Sequence, residues 1–266
     1  MPPADNVRIG PTPSAPTGAG HWPSGTPTGT PRLTIRGAVK RFGAVAALTG
    51  VDLDLHASEV VGLIGPNGSG KTTLVNCLSG VLSLDAGEIV LDGETITGHS
   101  RVRRAKRGLS RTFQNLQLFG ALTVRENLAV GLNAGSRPNA QQTAALDELI
   151  ARLGLGRLSR TAVSKLPYGH QRRVEIGRAL ASRPNVLLLD EPAAGLNDAE
   201  TAELLALLLS VRKDFACSML VIDHDMALVL KISDRVTVLD EGTVIFVGAP
   251  DQVFQQHNVV EAYLGA

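Results

Sequence analysis

The sequence predicts an α/β fold with a mostly parallel sheet, on three observations. First, Gly65-Pro66-Asn67-Gly68-Ser69-Gly70-Lys71-Thr72-Thr73 fits the phosphate-binding pattern G-x-x-x-x-G-K-[ST]. It lies between an apolar run over 60–64, read as a buried strand, and a helical pattern over 73–82 with Leu74, Leu78, Val81 and Leu82 on one face. Second, the apolar runs at 186–189 and 218–222 end in Asp190-Glu191-Pro192 and Asp223-His224-Asp225. Ligands of open α/β sheets gather outside such strand ends. Third, from Gln114 to about Lys165 the pattern turns mostly helical, which predicts a helical subdomain (about 115–180) inserted in the α/β core.

The remaining elements follow in order. Residues 1–31 are rich in Pro, Gly, Thr and Ser, have almost no apolar periodicity, and read as a disordered tail, with a trafficking or docking role as the alternative. Residues 33–55 alternate apolar and polar positions and break near Gly43 and Gly50, which predicts two or three antiparallel strands. Residues 87–93 read as a strand and tight turn. The basic run 101–107 reads as a solvated helix face, with contact to an acidic partner or lipid headgroups as the alternative. A strand over 109–113 leads to Gln114. Helices are expected over 124–132 and 143–153, separated by Gly135-Ser136-Arg137-Pro138. A further helix over 169–181 precedes the 186–189 strand, which is read as central in the sheet. Helices at 198–213 and 227–232, a hairpin of 236–239 with 243–247, and one short terminal helix complete the chain.

Composition bounds the function. A chain of 266 residues with 44% hydrophobic content can bury a sizeable core, and its net charge of +1 carries no nucleic-acid footprint. Cys77 and Cys217 lie far apart with no metal-ligand spacing and read as buried free thiols. No apolar run approaches the roughly 20 residues of a spanning helix. No secretory segment is recognisable at the N-terminus. The expectation is a chain soluble by itself that acts at a membrane only through partners.

The site chemistry is read from residue types. Glycines let successive N–H groups converge on a phosphate, and the helix that starts there favours negative charge. Lys71 would reach the β- and γ-phosphates, and the Thr72 hydroxyl would ligate Mg²⁺. Asp190 would hold Mg²⁺ directly or through water, and Glu191 would orient and deprotonate an attacking water. A lone Asp at a strand end could instead cap a following helix, but a cap does not account for an acidic pair. His224 could donate to the γ-phosphate, and Gln114 could accept from a metal-bound water or coordinate Mg²⁺ through its carbonyl oxygen. Phe42 could stack on a flat base or sit in the core; both readings are open.

Taken together, these residues resemble the nucleotide-binding subunits of ATP-binding cassette (ABC) transporters over about 33–264. The ordered set is the phosphate loop, Gln114 in the Q-loop, Leu166-Pro167-Tyr168-Gly169-His170 in the signature position, the 187–191 strand end, Ala194-Gly195-Leu196-Asn197 at the D-loop and His224 at the switch. The resemblance implies an ABC ATPase fold of the P-loop NTPase type, with an N-terminal antiparallel β subdomain and an inserted helical subdomain, over residues 32–266. It implies ATP binding by Phe42, Gly65, Pro66, Asn67, Gly68, Ser69, Gly70, Lys71, Thr72, Thr73 and Gln114. Mg²⁺ would sit on Thr72, Gln114 and Asp190, and Glu191 and His224 would be catalytic. It also implies a head-to-tail sandwich dimer in which the signature of one chain covers the ATP of the other. The same resemblance implies two transmembrane permease subunits, an indirect periplasmic or extracellular solute-binding protein, and a cytoplasmic location on the inner face of the membrane.

Within the family, the sequence is most similar to the ATPases of branched-chain amino acid importers. The similar stretches are Ser110-Arg111-Thr112-Phe113-Gln114-Asn115, Tyr168 with Gln171-Arg172-Arg173, residues 191–197, His224-Asp225-Met226 and Ala262-Tyr263-Leu264-Gly265. Importers of urea, short amides or other amino acids are the alternative. A soluble cassette acting on nucleic acid or ribosomes is more distant, since neither long insertions, zinc cysteines nor a second cassette is present. A regulator that does not hydrolyse ATP is disfavoured by Glu191 and His224. Leu116, Leu118 and Phe119 read either as a dock for a membrane subunit's coupling helix or as subdomain core. Three residues depart from the common pattern: Pro167 for serine, His170 for glutamine and Asn197 for aspartate. Pro167 lacks both hydroxyl and N–H, which raises the hypothesis of a heterodimer with unequal sites in place of a homodimer.

Overall fold

The computed structural model describes residues 29–132 and 139–264. The expected tail lies outside them except for its last three residues, as do Gly135-Ser136-Arg137-Pro138.

Two sheets form the framework. β1 (Leu33–Phe42) pairs antiparallel with β2 (Val45–Leu55) and with β4 (Ala86–Leu91), and β5 (Glu94–Thr95) adds an edge, giving the order β2-β1-β4-β5. The larger sheet joins β3 (Val60–Ile64), β6 (Leu109–Arg111), β7 (Val186–Asp190), β8 (Ser218–Ile222), β9 (Arg235–Asp240) and β10 (Thr243–Gly248). Its order is β10-β9-β3-β8-β7-β6, parallel except for the β9–β10 hairpin. The strand expected to be central, β7, is interior but next to the edge, while β3 and β8 hold the middle.

Every residue of β3, β7 and β8 is buried, because both faces of the sheet are covered. Side chains alternate between two cores, as a strand's period of two requires. Leu187, Leu189, Met219 and Val221 join the helices α3 (Val124–Val130), α4 (Ala140–Arg152), α5 (Tyr168–Ala181), α6 (Asp198–Phe215) and α7 (Met226–Ile232). Val186, Leu188, Leu220 and Ile222 face the antiparallel sheet and α1 (Lys71–Leu78). Cys77 and Cys217 are buried free thiols in these two cores. α2 (Arg101–Lys106) and α8 (His257–Leu264) complete the helices.

Two expectations need correction. The helix after the phosphate loop begins at Lys71 and stops at Leu78 instead of spanning 73–82. Gly80, at φ +73, turns the chain, and the N–H groups of Val81 and Leu82 fold back onto the carbonyl of Asn76. The basic run is helical, yet it is not wholly solvated, because Arg104 is only 2% exposed. Its guanidinium donates to the carbonyls of Cys77, Leu78, His99 and Thr97 at 2.6–3.0 Å, satisfying the end of α1.

Candidate functional site

The loop between β3 and α1 is shaped by close backbone approach. Gly65 has φ +150, and a Cβ there would collide with the carbonyl of Leu239. Gly70 caps α1 at φ +106, where a Cβ would meet the carbonyl of Ala47 at 2.5 Å. Only glycine fits both positions. Lys71 is buried, and its ammonium donates to the carbonyls of Gly65 (2.8 Å) and Pro66 (2.7 Å). Burial pushes its pKa below the ordinary 10.5, opposed by the charge of Glu191. Ser69 is buried, while Thr72, on the first turn of α1, is exposed.

The acidic pair ends β7, and no helix begins until Asp198, so Asp190 is not a cap. Glu191 adopts φ +48, and its N–H donates to the carbonyl of Ile222 on β8 at 2.7 Å. One carboxylate oxygen lies 3.0 Å from Nε2 of His224, and the other accepts from Nε2 of Gln114 at 2.8 Å. Gln114, Glu191 and His224 are thus brought together from three strand ends. Asp190 is nearly buried, and its Oδ2 meets Nη2 of Arg111 at 2.6 Å.

Phe42 ends β1 and is 48% exposed, with the Lys40 ammonium 5.7 Å from its ring centre, so the core alternative does not hold. In the signature stretch, Leu166 is buried, Pro167 precedes α5 without a side-chain cap, Tyr168 is exposed, Gly169 is buried and His170 is half-buried. No hydrogen bond or ion pair among the described residues joins this stretch to the chain's own phosphate loop. Asn197 caps α6, and its side chain and that of Glu200 bond each other's backbone N–H groups. The docking candidates divide: Leu118 packs on the helical core, Leu116 is half-buried, and Phe119 is exposed beneath the Arg178 guanidinium.

Three residues beside the site, Arg172, Glu175 and Asp223, received no role from the sequence, although Arg172 and Asp223 lie in stretches it quoted. Arg172 and Glu175 form a fully buried ion pair on α5 at 2.7 Å. Arg172 also donates to the carbonyls of Phe113 (3.1 Å) and Gln114 (3.3 Å), and Glu175 accepts from the N–H of Phe113 at 3.2 Å. The backbone that carries Gln114 is therefore fastened to the helix that opens at the signature. Asp223 accepts from the N–H groups of Ala193 (2.8 Å) and Asp225 (2.9 Å), and burial raises its pKa against those bonds.

Comparison with known proteins agrees with this arrangement. Residues 48–194 match the family described as "ABC transporter". The chain is 42% identical over 250 residues to the high-affinity branched-chain amino acid transport ATP-binding protein LivG of Escherichia coli K12, covering 88% of this chain and 98% of that one. It is 40% identical over 252 residues to BraF of Pseudomonas aeruginosa, a protein of the same description, with the same coverage. The fold matches the crystal structure of an ATP-binding cassette of an ABC transporter in its ADP conformation, with a TM-score of 0.82 and 29% identity over 90% of this chain and 100% of that one.

Proposed function

The chain belongs to the ATP-binding cassettes of ABC transporters, and on that premise we propose that it hydrolyses ATP to energise the import of branched-chain amino acids. The observation that carries the catalytic reading is the carboxylate of Glu191, held between Gln114 and His224 and close enough to Lys71 for their charges to interact.

The residues take the following roles. Main-chain N–H groups of 65–73 and the ammonium of Lys71 bind the phosphates, so Lys71 must exchange its loop carbonyls for phosphate oxygens. Phe42 stacks on the base. Glu191 takes a proton from the attacking water as the new oxygen–phosphorus bond forms and the bridge to ADP breaks. One of its oxygens accepts from Gln114 and the other lies 3.0 Å from His224, which leaves acceptor sites on both for the water. His224 then donates to the γ-phosphate.

Mg²⁺ fits the oxygen donors of Thr72, Gln114 and Asp190, since this ion takes one or two carboxylates with phosphates and water instead of a full protein cage. When bound, it supplies neutralisation of phosphate charge.

The same reading assigns residues 32–266 to one ATPase domain with the helical subdomain at about 115–180. Leu166–His170 complete the ATP site of a second subunit, identical or related. No described helix is long and apolar enough to cross a membrane. On the importer reading, the chain works at the inner face with two permease subunits. The test is uptake of labelled leucine, with urea and a short amide in parallel, in cells lacking this chain. Leucine uptake restored by the wild type and not by Lys71→Ala is the expected result. Restoration of urea or amide uptake alone would keep the mechanism and overturn the solute.

A further inference from the structure

Arg111 ends β6, three residues before Gln114, with its side chain 8% exposed. Its Nη2 meets Oδ2 of Asp190 at 2.6 Å. Its Nη1 donates to Oδ1 of Asn76 at 2.6 Å and to Oγ of Ser79 at 2.9 Å, and its face lies 5.2 Å from the ring centre of Phe113. Asn76 is on α1 and Ser79 caps it. One planar fork therefore ties together three segments: the helix that starts at Lys71 and Thr72, the strand that ends in Asp190, and the strand that leads to Gln114.

We propose that Arg111 is a positioning residue for the nucleotide-bound metal: it clamps one oxygen of Asp190 and bolts it to α1, so that the other oxygen is presented in a fixed direction. The proposal rests on the nucleotide-and-metal reading above. Two physical effects bear on it. A guanidinium beside a metal-binding carboxylate repels a divalent cation. Against this, the same guanidinium, anchored to Asn76 and Ser79 on the far side, fixes the direction of a carboxylate that is only 4% exposed. The second effect wins here, because the rigid fork holds one oxygen of the carboxylate at 2.6 Å while its other nitrogen is fixed to α1. Oδ1 of Asp190 accepts no hydrogen bond from any described residue, so the clamp leaves that oxygen for the ion. Arginine is needed because lysine, a point charge, cannot engage Asp190 and Asn76 with a fixed geometry.

The test uses the full chain and equilibrium binding of a fluorescent N-methylanthraniloyl ADP, first in EDTA and then with rising Mg²⁺. Wild type, Arg111→Lys and Asn76→Ala are compared. In Arg111→Lys the Mg²⁺ concentration for half-maximal tightening should rise about tenfold or more, the range seen when a group orienting a metal ligand is lost. Asn76→Ala, which removes only the anchor, should shift it in the same direction by less. Affinity in EDTA should be little changed in both. Equal weakening with and without Mg²⁺ would reduce Arg111 to a structural role and overturn the proposal. An unchanged or tighter Mg²⁺ response in Arg111→Lys would overturn it too. If Arg111→Lys does not fold, Asn76→Ala decides by the same readout. A wild-type chain whose nucleotide affinity ignores Mg²⁺ would overturn the metal reading itself, an outcome distinct from the others.

Discussion

Glu191 stands at φ +48, a conformation that costs a side-chain-bearing residue about 1–3 kcal/mol unless its surroundings impose it. The bond from its N–H to Ile222, the hydrogen bond from Gln114 and the close contact with His224 hold it here. Glu191→Gln keeps that shape and removes the proton acceptor. Steady-state phosphate release should fall roughly 10²–10⁴-fold while nucleotide binding persists; a loss smaller than about tenfold would remove Glu191 from the role of base. Cys217 supplies a pH dependence. Burial pushes its thiol from an ordinary 9.0 to about 12. Above the ordinary value the unfolded thiol loses its proton while the folded one keeps it. This group's contribution is therefore complete below pH 9 and is lost as pH rises toward 12. Cys217→Val should make the alkaline fall in stability shallower by on the order of 1 kcal/mol per pH unit in urea melts. An unaltered slope would show that the folded thiol ionises normally.

At the scale of elements, two buried arginines hold segments together. Arg104 satisfies the carbonyls at the end of α1, so Arg104→Ala should cost about 2–3 kcal/mol, while exposed Arg103→Ala should stay within about 0.5. Equal effects in urea melts would return the basic run to a uniform solvated face. Arg172 and Glu175 fasten α5 to the backbone before Gln114. Arg172→Met strands a buried carboxylate and should cost about 3–5 kcal/mol. Adding Glu175→Leu should recover most of that stability, yet ATP turnover should stay low because the Gln114 backbone is no longer held. Recovery of both would make the pair purely structural. The pattern of apolar residues located nearly every strand and helix. It could not separate Arg104 from Arg101 and Arg103, because charge alone does not say which side chain meets a helix end. The stop of α1 at Leu78 was missed because Gly80 and the bonds to Asn76 outweigh the apolar face that continues through Leu82.

At the scale of the whole molecule, the signature stretch makes no hydrogen bond or ion pair to the phosphate loop among the described residues, and α5 starts from Pro167 with no side-chain cap, with the Glu200 carboxylate lying against Gly169. With ATP, the Glu191→Gln chain should double its mass in light scattering behind size exclusion, and Gly169→Asp should abolish the doubling by setting a negative charge at that helix start. If Glu191→Gln remains monomeric alone and dimerises only with a related subunit, the heterodimer follows, with Pro167 marking the weaker site. The sequence by itself determined the parallel sheet, the glycine-rich loop, the acidic pair and the histidine at a strand end, because each is written in local spacing: a glycine pattern, an apolar run, a charge at its end. Only the tertiary structure decided that Gln114 and His224 share the carboxylate of Glu191, that Asp190 is clamped by Arg111, and that Phe42 lies on the surface. Those facts depend on which strand ends become neighbours, and the order β10-β9-β3-β8-β7-β6 is set by packing both faces of the sheet, which no local spacing encodes.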